Sequence, residues 1–597
     1  MSRRRVTILA SEVLGMPGVG GPGTADSLLA LALARAGHRV EVLVAPGREI
    51  VPLALEWEER YAASGVAVHR LAHDPGIRPR FLEPTAVVYR RLRADPPEVV
   101  VADDWRGLAF AALRARQVGL ALTDTAFVLY THGPARVLAE AARKVPDTID
   151  RFGEAVVQRH CLELADAVVS PSEWLLDWMG ARGWPVPATA HVIQNLWESA
   201  VTDEPPSQAK SGGRVRRLAF FGQLREGKGT RVFADALRGL DSRRLHDVEL
   251  LFLGRETPRW NEARMREALG PEVLEHVSSI RFERALDRAA ALTELRSEGT
   301  LAVMPSLLEN SPYAVAECIE HGIPFVGSRV GGVPELVAEE DRERVLCPPT
   351  AHALRDALEQ ALASSDGFAP ARPARPQEES VAAWLDLVEA VVPARPHSVA
   401  PAEHVEVIAS GSRRDGLART TAEWVVFLDD EDVPDDGFVD ALVAAQAVSN
   451  ADVVTTAVRR GDETHLFLGD AMSLGLVENQ YGVVGLIRAS LAREYVFDDA
   501  AVDPDWPLFA RATLSGARIV SIPDPLLTHR GRVGSVSDVP GEGIAVLEAF
   551  EAHTSGDLAE LAATAAARAQ KSDSGGNVTS HHRLRRFAGV VRRLKAR

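Results

Sequence analysis

The stretch Met304-Pro-Ser-Leu-Leu-Glu-Asn-Ser-Pro-Tyr-Ala-Val-Ala-Glu317 joins an apolar segment, Leu301–Pro305, to a helical pattern. A short apolar run that ends in a proline predicts a buried strand. Ser311 and Pro312 are residue types preferred at the cap and the first position of a helix, which we expect to run to His321. In parallel α/β domains, such a helix points its free N–H groups at the carboxyl edge of the sheet. The stretch therefore predicts a parallel α/β domain with a ligand site at this edge.

Two acids in this stretch stand with seven residues between them, Glu309 before the helix and Glu317 inside it. One can meet one end of an elongated ligand while the other meets a different part. A tight turn, Gly331-Gly-Val-Pro-Glu335, follows the next predicted strand, Phe325–Ser328. Each feature alone is compatible with a structural role, but their succession on strand-to-helix edges predicts a binding site.

The same alternation of apolar strands and helical segments extends upstream of this stretch. We predict two tandem Rossmann-like α/β domains, residues 1–202 and 203–365, with a polar linker at 203–214 and a cleft between them. The predicted strands lie at 6–10, 39–45, 99–102, 126–130 and 167–170 in the first domain, and at 217–222 and 248–254 in the second.

A glycine-rich loop, Gly18-Val-Gly20-Gly21-Pro-Gly23, precedes a helix that we expect Thr24 to cap. Its spacing fits G-x-G-x-x-G, but a dinucleotide site also needs an acid at the end of the next strand. That strand ends at Val44-Ala45-Pro46, so NAD binding is disfavoured. The loop can still admit a phosphate or a sugar, or it can be a turn that needs glycines.

Lys228 is one of only five lysines, and it stands in Gln223-Leu-Arg-Glu-Gly-Lys-Gly229 between a predicted strand and a predicted helix. Anions bind at helix starts, and a cation there can neutralise a leaving diphosphate. The alternative is a solvated loop lysine.

Overall composition narrows the classes of function. The chain has 597 residues, 46% hydrophobic and 25% charged, with 67 basic and 83 acidic side chains and a net charge of −16. This charge disfavours a broad nucleic-acid-binding face. We find no run of about 18 apolar residues and no signal-peptide core, and the three cysteines are widely spaced. We expect a cytoplasmic protein without disulfides and without a nucleic-acid partner.

A third unit, 403–550, follows a Pro/Ala-rich linker, 366–402, in which one helix is predicted. Its strand Trp424–Leu428 runs into the acidic cluster Asp429-Asp430-Glu431-Asp432. Carboxylates are ligands that suit Mg²⁺ or Mn²⁺, so Asp430, Glu431 and Asp432 predict a metal site. The alternative is a solvated acidic turn.

The tail, 551–597, ends in a basic segment in which Leu584, Phe587, Val591 and Leu594 recur at helical spacing. This pattern predicts a peripheral contact with anionic lipid on the inner face of a membrane. A solvated tail, or one docked on an acidic face of the protein, is the alternative.

Taken in order, these motifs make residues 1–360 resemble a family 4 retaining glycosyltransferase of the GT-B fold. The resemblance is carried by the GGPGT loop, the Thr131-His132-Gly133 segment, the FFGQLREGKG segment, and the two acids with their trailing GGVPE turn. It implies that a nucleotide sugar, with UDP, GDP or ADP as the nucleotide, binds in the cleft without a required metal.

The resemblance also implies roles for single residues. His132, Lys228 and Glu309 would be catalytic, with Lys228 on the donor diphosphate and Glu309 on the donor sugar. Glu317 would hold the ribose hydroxyls. The other donor-binding residues would be Gly20, Gly21, Gln223, Arg225, Asn310, Ser311, Pro312 and Tyr313. The family usually has Arg in place of Gln223, and Arg225 is close enough in sequence to substitute.

The third unit resembles a truncated family 2 glycosyltransferase of the GT-A fold, through the acidic cluster, Asp503-Pro504-Asp505 and Thr528-His529-Arg530. Family members open with a strand and a helix that bind the nucleotide base, whereas this chain has the Pro-rich linker there. We therefore favour a degenerate module that packs against the first enzyme or positions an acceptor over an active second transferase.

The expected function is retaining transfer of a hexosyl unit from a nucleotide sugar to a glycan or lipid-linked acceptor, as in cell-envelope or polysaccharide synthesis. Three alternatives stay open. They are an epimerase or phosphorylase on the same fold, a non-catalytic glycan-binding or scaffold protein with a decayed donor site, and a bifunctional enzyme with an active metal-dependent third unit.

Overall fold

The computed structural model describes residues 3–47, 49–141, 148–202, 206–209, 213–394, 399–409, 412–476, 478–495 and 505–530. The predicted basic tail lies outside these residues, as do Asp503 and Pro504.

The first domain consists of strands and helices that alternate along the chain. Its strands are β1 (Arg5–Ala10), β2 (Arg39–Gly47), β3 (Ala67–Ala72), β4 (Ile77–Arg78), β5 (Val99–Asp103), β6 (Ala126–Tyr130), β7 (Ala167–Ser170) and β8 (His191–Val192). Its helices are α1 (Gly21–Arg35), α2 (Leu55–Ala63), α3 (Glu83–Ala94), α4 (Phe110–Gln117), α5 (Ala135–Ala141), α6 (Ile149–Leu164) and α7 (Glu173–Gly180). All strands except β4 form one parallel sheet in the order β3-β2-β1-β5-β6-β7-β8.

The second domain repeats this plan. Its strands are β9 (Arg217–Phe221), β10 (Glu249–Leu253), β11 (Ser279–Glu283), β12 (Thr300–Met304), β13 (Phe325–Ser328) and β14 (Leu346–Cys347). Its helices are α8 (Thr230–Arg238), α9 (Glu262–His276), α10 (Arg288–Leu295), α11 (Tyr313–Glu320), α12 (Val333–Leu336), α13 (Glu339–Val345) and α14 (Ala351–Ala363). The parallel sheet has the order β11-β10-β9-β12-β13-β14. The prediction of two α/β domains with parallel sheets is confirmed.

The central strands are mostly apolar because helices cover both faces of each sheet. Every residue of β5, β6 and β12 is buried. Helices after most strands return the chain to the opposite edge, so the loops that follow the strands meet at the carboxyl edge. The two domains place these edges opposite each other.

Two predicted helix starts are wrong by a few residues. Helix α1 begins at Gly21 with Gly20 as its cap, and Thr24 lies inside it, where its hydroxyl donates to the Gly20 carbonyl at 3.0 Å. Helix α11 begins at Tyr313, because Pro312 is extended with ψ of 125° and takes the cap position predicted for Ser311.

The segment predicted as a linker, 366–402, contains helix α15 (Gln377–Ala390), which returns to the first domain. The buried ring of Trp384 meets Tyr130 edge to face, with ring centroids 4.8 Å apart. This helix ties the end of the second domain to the core of the first.

The third unit has a mixed sheet. Its strands are β15 (Val405–Ala409), β16 (Trp424–Leu428), β17 (Asp432–Pro434), β18 (Val453–Arg460), β19 (Glu463–His465), β20 (Gly485–Arg488) and β21 (Ile519–His529). Its helices are α16 (Arg413–Arg419), α17 (Phe438–Ser449), α18 (Ala489–Glu494) and α19 (Asp505–Leu514). The sheet runs β15-β16-β20-β18-β19-β4, and β21 pairs with both β18 and β17.

Strand β4 belongs to the first domain in sequence but to the third unit in space. Ile77 pairs with Thr464 and Arg78 with His465. One hydrophobic cluster also runs through both parts, with Leu113 of the first domain and Phe427 and Ile487 of the third unit among its members. The third unit is therefore built onto the first domain rather than attached by a linker alone.

Polar contacts fix the same interface. The buried guanidinium of Arg114 donates to the Leu468 carbonyl at 2.9 Å, and burial lowers the pKa of Arg114 to about 10. His160 Nε2 lies 2.7 Å from the Asp470 carbonyl oxygen.

We expect Arg114→Met to lower the free energy of unfolding by about 1–3 kcal/mol, because the buried Leu468 carbonyl loses its donor while the apolar stem is kept. Urea denaturation measures this loss, and hydrogen exchange should rise in β18 to β20. Arg90→Met removes a half-exposed ion pair with Asp74 in the same domain and serves as the control. Equal stability of the two variants would contradict a stabilising role for the Arg114–Leu468 hydrogen bond.

Candidate functional site

A cavity of about 720 Å³ lies between the carboxyl edges of the two parallel sheets. Its walls are the loops after β1, β2, β5 and β6 on one side and those after β9 and β12 on the other. Most residues predicted for the site line it, namely Gly21, His132, Arg225, Lys228, Glu309, Asn310, Ser311, Pro312 and Tyr313. Three predicted residues, Gly20, Gln223 and Glu317, are not among its lining residues.

Lys228 is held by the turn that leads into helix α8. Gly229 has φ of +73°, and a Cβ there would lie 1.7 Å from the Pro305 carbonyl oxygen, so the turn requires glycine. Lys228 Nζ forms an ion pair with Glu309 Oε1 at 2.5 Å. Lys228 is the only lysine in the described part of the chain. Its charge therefore faces the cavity, balanced by one acid.

Arg225 lines the same wall as Lys228, whereas Gln223 does not line the cavity. The Arg225 Nε atom is buried without a hydrogen-bond partner. A buried guanidinium N–H is costly when it is unpaired, which favours an acceptor group arriving there. This geometry fits the expectation that Arg225 substitutes for the arginine that the resemblance places at Gln223.

Helix α11 presents its first turn to the cavity. The Tyr313 hydroxyl donates to the Leu196 carbonyl at 3.0 Å and is thus committed to the first domain. The backbone of the helix start is what remains for a ligand, and free N–H groups at a helix start bind anions.

Asn310 connects the two walls. Its Nδ2 donates to the His132 carbonyl at 3.0 Å, and its Oδ1 accepts from the Ser172 hydroxyl. The predicted glycine turn packs behind it, since a Cβ on Gly331 would lie 1.7 Å from the Glu309 carbonyl oxygen. Any side chain at Gly331 would therefore displace the segment that carries Glu309 and Asn310.

Glu317 belongs to a chain of charges that crosses the domain boundary. Its Oε1 accepts from Arg288 Nε at 2.6 Å, Arg288 also pairs with Glu198, and Glu198 pairs with Arg60 at 3.0 Å. Burial raises the pKa of Glu317, and Arg288 opposes that rise. In this structure Glu317 pairs with protein rather than facing the cavity, and its predicted role toward a ribose stays a prediction.

Sequence reasoning missed several contacts between the domains. The Glu335 carboxylate accepts from the backbone N–H groups of Glu173 and Trp174, at 2.8 and 3.0 Å, and thereby caps helix α7 of the other domain. The Asn195 side chain donates to the Ser311 carbonyl at 3.2 Å. Glu335 stands in the GGVPE turn that the sequence analysis singled out. Its partner, the start of helix α7, is too distant in sequence to be inferred.

His132 lies against a group of buried acids, and sequence reasoning did not predict these contacts. Asp104 accepts from the backbone N–H groups of His132 and Gly133, at 3.1 and 3.3 Å. Asp26 Oδ1 lies 3.7 Å from His132 Nε2. Burial lowers the pKa of His132 to about 4, with the Asp104 charge acting in the opposite direction.

The metal site predicted from Asp430, Glu431 and Asp432 is not assembled. Asp432 Oδ1 lies 2.8 Å from His529 Nδ1, while Asp430 and Glu431 are exposed. Across the part of the chain that the structure describes, no three His, Cys, Asp or Glu side chains are placed to hold one metal ion.

A guanidinium supplies the positive charge in this region of the third unit. The buried Arg413 contacts Asp505 at 2.5 Å and Asp429 at 2.9 Å. Burial raises the pKa of Asp505 to about 6, and Arg413 opposes that rise. The two acids are thus paired within the protein.

Two family models match the chain, one on each wall of the cavity. Residues 20–195 match Glycosyl transferase 4-like domain, and residues 215–364 match Glycosyl transferases group 1. No curated protein matches the chain.

The chain is also similar to solved structures. A sucrose-phosphate synthase from Thermosynechococcus elongatus is 18% identical with a TM-score of 0.44, covering 65% of this chain and 96% of that one. The catalytic domain of starch synthase IV from Arabidopsis thaliana, bound to ADP and acarbose, is 15% identical with a TM-score of 0.43, covering 65% and 96%. WaaG, a glycosyltransferase involved in lipopolysaccharide biosynthesis, is 15% identical with a TM-score of 0.42, covering 64% and 93%. Likenesses at this level assign no activity.

The cavity lies between two facing Rossmann-like domains, and each of its walls matches a glycosyltransferase family model. These two matches, at residues 20–195 and 215–364, support a glycosyltransferase of the GT-B class. The likeness of the third unit to a family 2 enzyme stays a prediction.

We expect Arg288→Met to destabilise the protein by about 3 kcal/mol at pH 8, because it leaves Glu317 and Glu198 without their shared cation. The pKa of Glu317 is already raised by burial and rises further in the variant. Such a group contributes stability below its unfolded pKa and loses it as pH rises through the folded pKa, so the cost should shrink towards pH 4.

Urea denaturation at pH 4, 6 and 8 tests this dependence. Arg284→Met, which breaks half-exposed pairs with Glu256 and Glu262 in the same domain, is the control and should show a much weaker trend, because solvent screens these charges. A loss of unfolding free energy in Arg288→Met that is independent of pH would contradict the assignment of Glu317 as the titrating group.

Proposed function

We propose that the chain is a retaining glycosyltransferase that moves a hexosyl unit from a nucleotide sugar to a glycan or lipid-linked acceptor. The observation that carries this proposal is the cationic wall of the cavity. Lys228, Arg225 and the first turn of helix α11 converge there on the side that matches the group 1 model. This set suits a diphosphate, whose negative charge grows as the bond to the sugar breaks.

The proposed reaction proceeds on one face of the sugar. The bond between the anomeric carbon and the phosphate oxygen breaks, and the acceptor hydroxyl oxygen forms the new bond from the same side. The acceptor proton passes to the leaving phosphate oxygen. Lys228 and Arg225 stabilise the departing diphosphate, while Glu309 and the backbone around Asn310 orient the sugar.

The first-domain wall would hold the acceptor. His132 and Gly21 face the cavity from this wall, opposite the proposed diphosphate site. The acceptor hydroxyl must lie between the two walls to reach the anomeric carbon, which fits the placement of His132. A cytoplasmic location and a membrane-bound acceptor are further parts of the proposal; within the described ranges, no helix is long and apolar enough to cross a membrane.

We propose that the third unit is a degenerate module that supports the first domain. Arg413 pairs with both Asp505 and Asp429, and strand β4 completes the sheet of the third unit. A module used in this way needs no donor site of its own. The bifunctional alternative predicts nucleotide binding that requires Mg²⁺ or Mn²⁺ and survives mutation in the cavity.

We expect Lys228→Met to weaken binding of a nucleoside diphosphate by about 10- to 100-fold, because a charge-assisted hydrogen bond is lost. Calorimetric titration with UDP, GDP and ADP, each with and without Mg²⁺, measures the effect and identifies the base. Arg264→Ala removes an exposed charge on helix α9 of the same domain and is the matched control. Binding that ignores Lys228→Met would move the donor site out of this cavity.

We expect Glu309→Gln to leave diphosphate affinity unchanged or to raise it, because the variant frees Lys228 from its ion pair. The same variant should lower the rate of transfer, since the carboxylate no longer orients the sugar. Product formation from the nucleotide sugar that binds, assayed with candidate acceptors, measures the rate. Weaker diphosphate binding in Glu309→Gln would contradict this division of roles, and donor binding without transfer or hydrolysis would favour the scaffold alternative.

A further inference from the structure

Asp26 and His132 face each other in the wall of the cavity with unsatisfied polar atoms on both sides. Asp26 lies in helix α1 and is 0% exposed, and neither of its carboxylate oxygens has a hydrogen-bond partner. His132 Nε2 is also buried without a partner, and it lies 3.7 Å from Asp26 Oδ1. Buried polar atoms are rarely left unpaired, so this juxtaposition calls for an explanation.

The surroundings of Asp26 disfavour its charged form. The carboxyl groups of Glu12, Asp103 and Asp104 approach it from the loop after β1 and from the end of β5. Burial, together with the charges of Asp104 and Glu12, raises the pKa of Asp26 well above its ordinary range. The titratable phenols whose pKa the Asp26 charge raises are those of Tyr61, Tyr130 and Tyr313.

The imidazole is likewise held in its neutral form. Burial lowers the pKa of His132 to about 4. The ring packs against Tyr130 in a tilted arrangement with centroids 4.1 Å apart, which restricts its rotation. Because Nε2 is sealed within the protein and His132 lines the cavity, Nδ1 is the nitrogen left for a ligand.

We propose that Asp26 is a positioning residue that, as a neutral carboxylic acid, donates a hydrogen bond from its O–H to Nε2 of His132 and so fixes the imidazole as the Nδ1–H tautomer. Nδ1–H then serves as a donor to a ligand oxygen in the cavity. A separation of 3.7 Å must shorten for this bond to form, and such hydrogen bonds often tighten when a ligand binds. The first-domain wall of the cavity thereby has a hydrogen-bond donor of fixed orientation that carries no net charge.

The choice of a neutral donor matters for the ligand. An imidazolium would bind a phosphate as a competing cation opposite Lys228. A neutral Nδ1–H instead suits a sugar or acceptor hydroxyl oxygen, which is the part of the ligand that the proposed function places at this wall. The identity of the ligand oxygen rests on that proposed function, whereas the tautomer of His132 does not.

The test is a pair of substitutions at Asp26. Asp26→Asn keeps an N–H donor opposite Nε2, while Asp26→Leu keeps the approximate volume and removes the donor. Nitrogen-15 NMR on histidine-labelled full-length protein, with His132→Gln to assign the signal, reports which ring nitrogen carries the proton. We expect Nδ1–H in the wild type and in Asp26→Asn, from pH 6 to pH 8, and loss of this single tautomer in Asp26→Leu.

Binding and stability give independent readouts. Where the wild type binds a nucleotide sugar, Asp26→Leu should weaken that binding or the transfer rate by about tenfold, and Asp26→Asn should rescue most of the loss. Because Asp26→Leu removes an unpaired buried carboxyl, its unfolding midpoint should hold or rise. A purely structural Asp26 would instead lower the midpoint and leave the tautomer unchanged.

Two outcomes would overturn the inference. A His132 ring with protons on both nitrogens at pH 7 would mean an ion pair with an ionised Asp26. An Nε2–H tautomer in the wild type would mean that the imidazole donates towards Asp26 rather than accepts from it. If no nucleotide sugar binds to the wild type but the Nδ1–H tautomer depends on Asp26, the proposed function fails while the assignment of the pair stands.

Discussion

The side chain of Asn310 holds the two walls of the cavity at a fixed separation. Asn310 lies just before helix α11, and its side chain forms hydrogen bonds with the Ser172 hydroxyl and the His132 carbonyl. The segment that carries Glu309 is thereby joined to the segment that carries His132 on the opposite wall. Two parallel sheets can face each other at many angles, and only a few of these angles close a cavity of ligand size. The glycine turn behind Asn310 and the Glu335 cap on helix α7 also fix the position of one domain relative to the other. The site is therefore a property of the interface between the domains.

The two walls differ in how they treat charge. The second domain presents Lys228 and Arg225 to the cavity with little compensation beyond Glu309. The first domain buries several carboxyl groups close to the cavity, where removal from water favours their neutral forms. A ligand that is anionic at one end and rich in hydroxyl groups at the other matches both walls at once. This asymmetry also sets the direction in which an elongated ligand can lie.

Much of the architecture could be predicted from local patterns, and what could not be predicted depends on distant pairs. The apolar runs of β5, β6 and β12 report burial on both faces, so strands and domain class follow from them. Lys228 and Glu309 could be named because each stands in a motif at a strand-to-helix edge. Asp26 carries no such signal, since it is one of several polar residues in the first turns of helix α1 until His132 is placed beside it. The metal site stays a prediction, and no local pattern showed that Asp432 pairs with His529 or that Arg413 lies between the neighbouring acids.

Strand β4 is only two residues long, yet it has a consequence for how the chain acquires its structure. During synthesis the first domain leaves the ribosome before the third unit has been made. The apolar surface around Leu113 therefore stays exposed until Phe427 and its neighbours cover it. A nascent chain with a transiently exposed apolar surface is prone to association with other chains. Early folding of the two GT-B domains and late docking of the third unit would then be separate kinetic events. The third unit, which is synthesised last, thus covers apolar surface of the first domain, which is synthesised first.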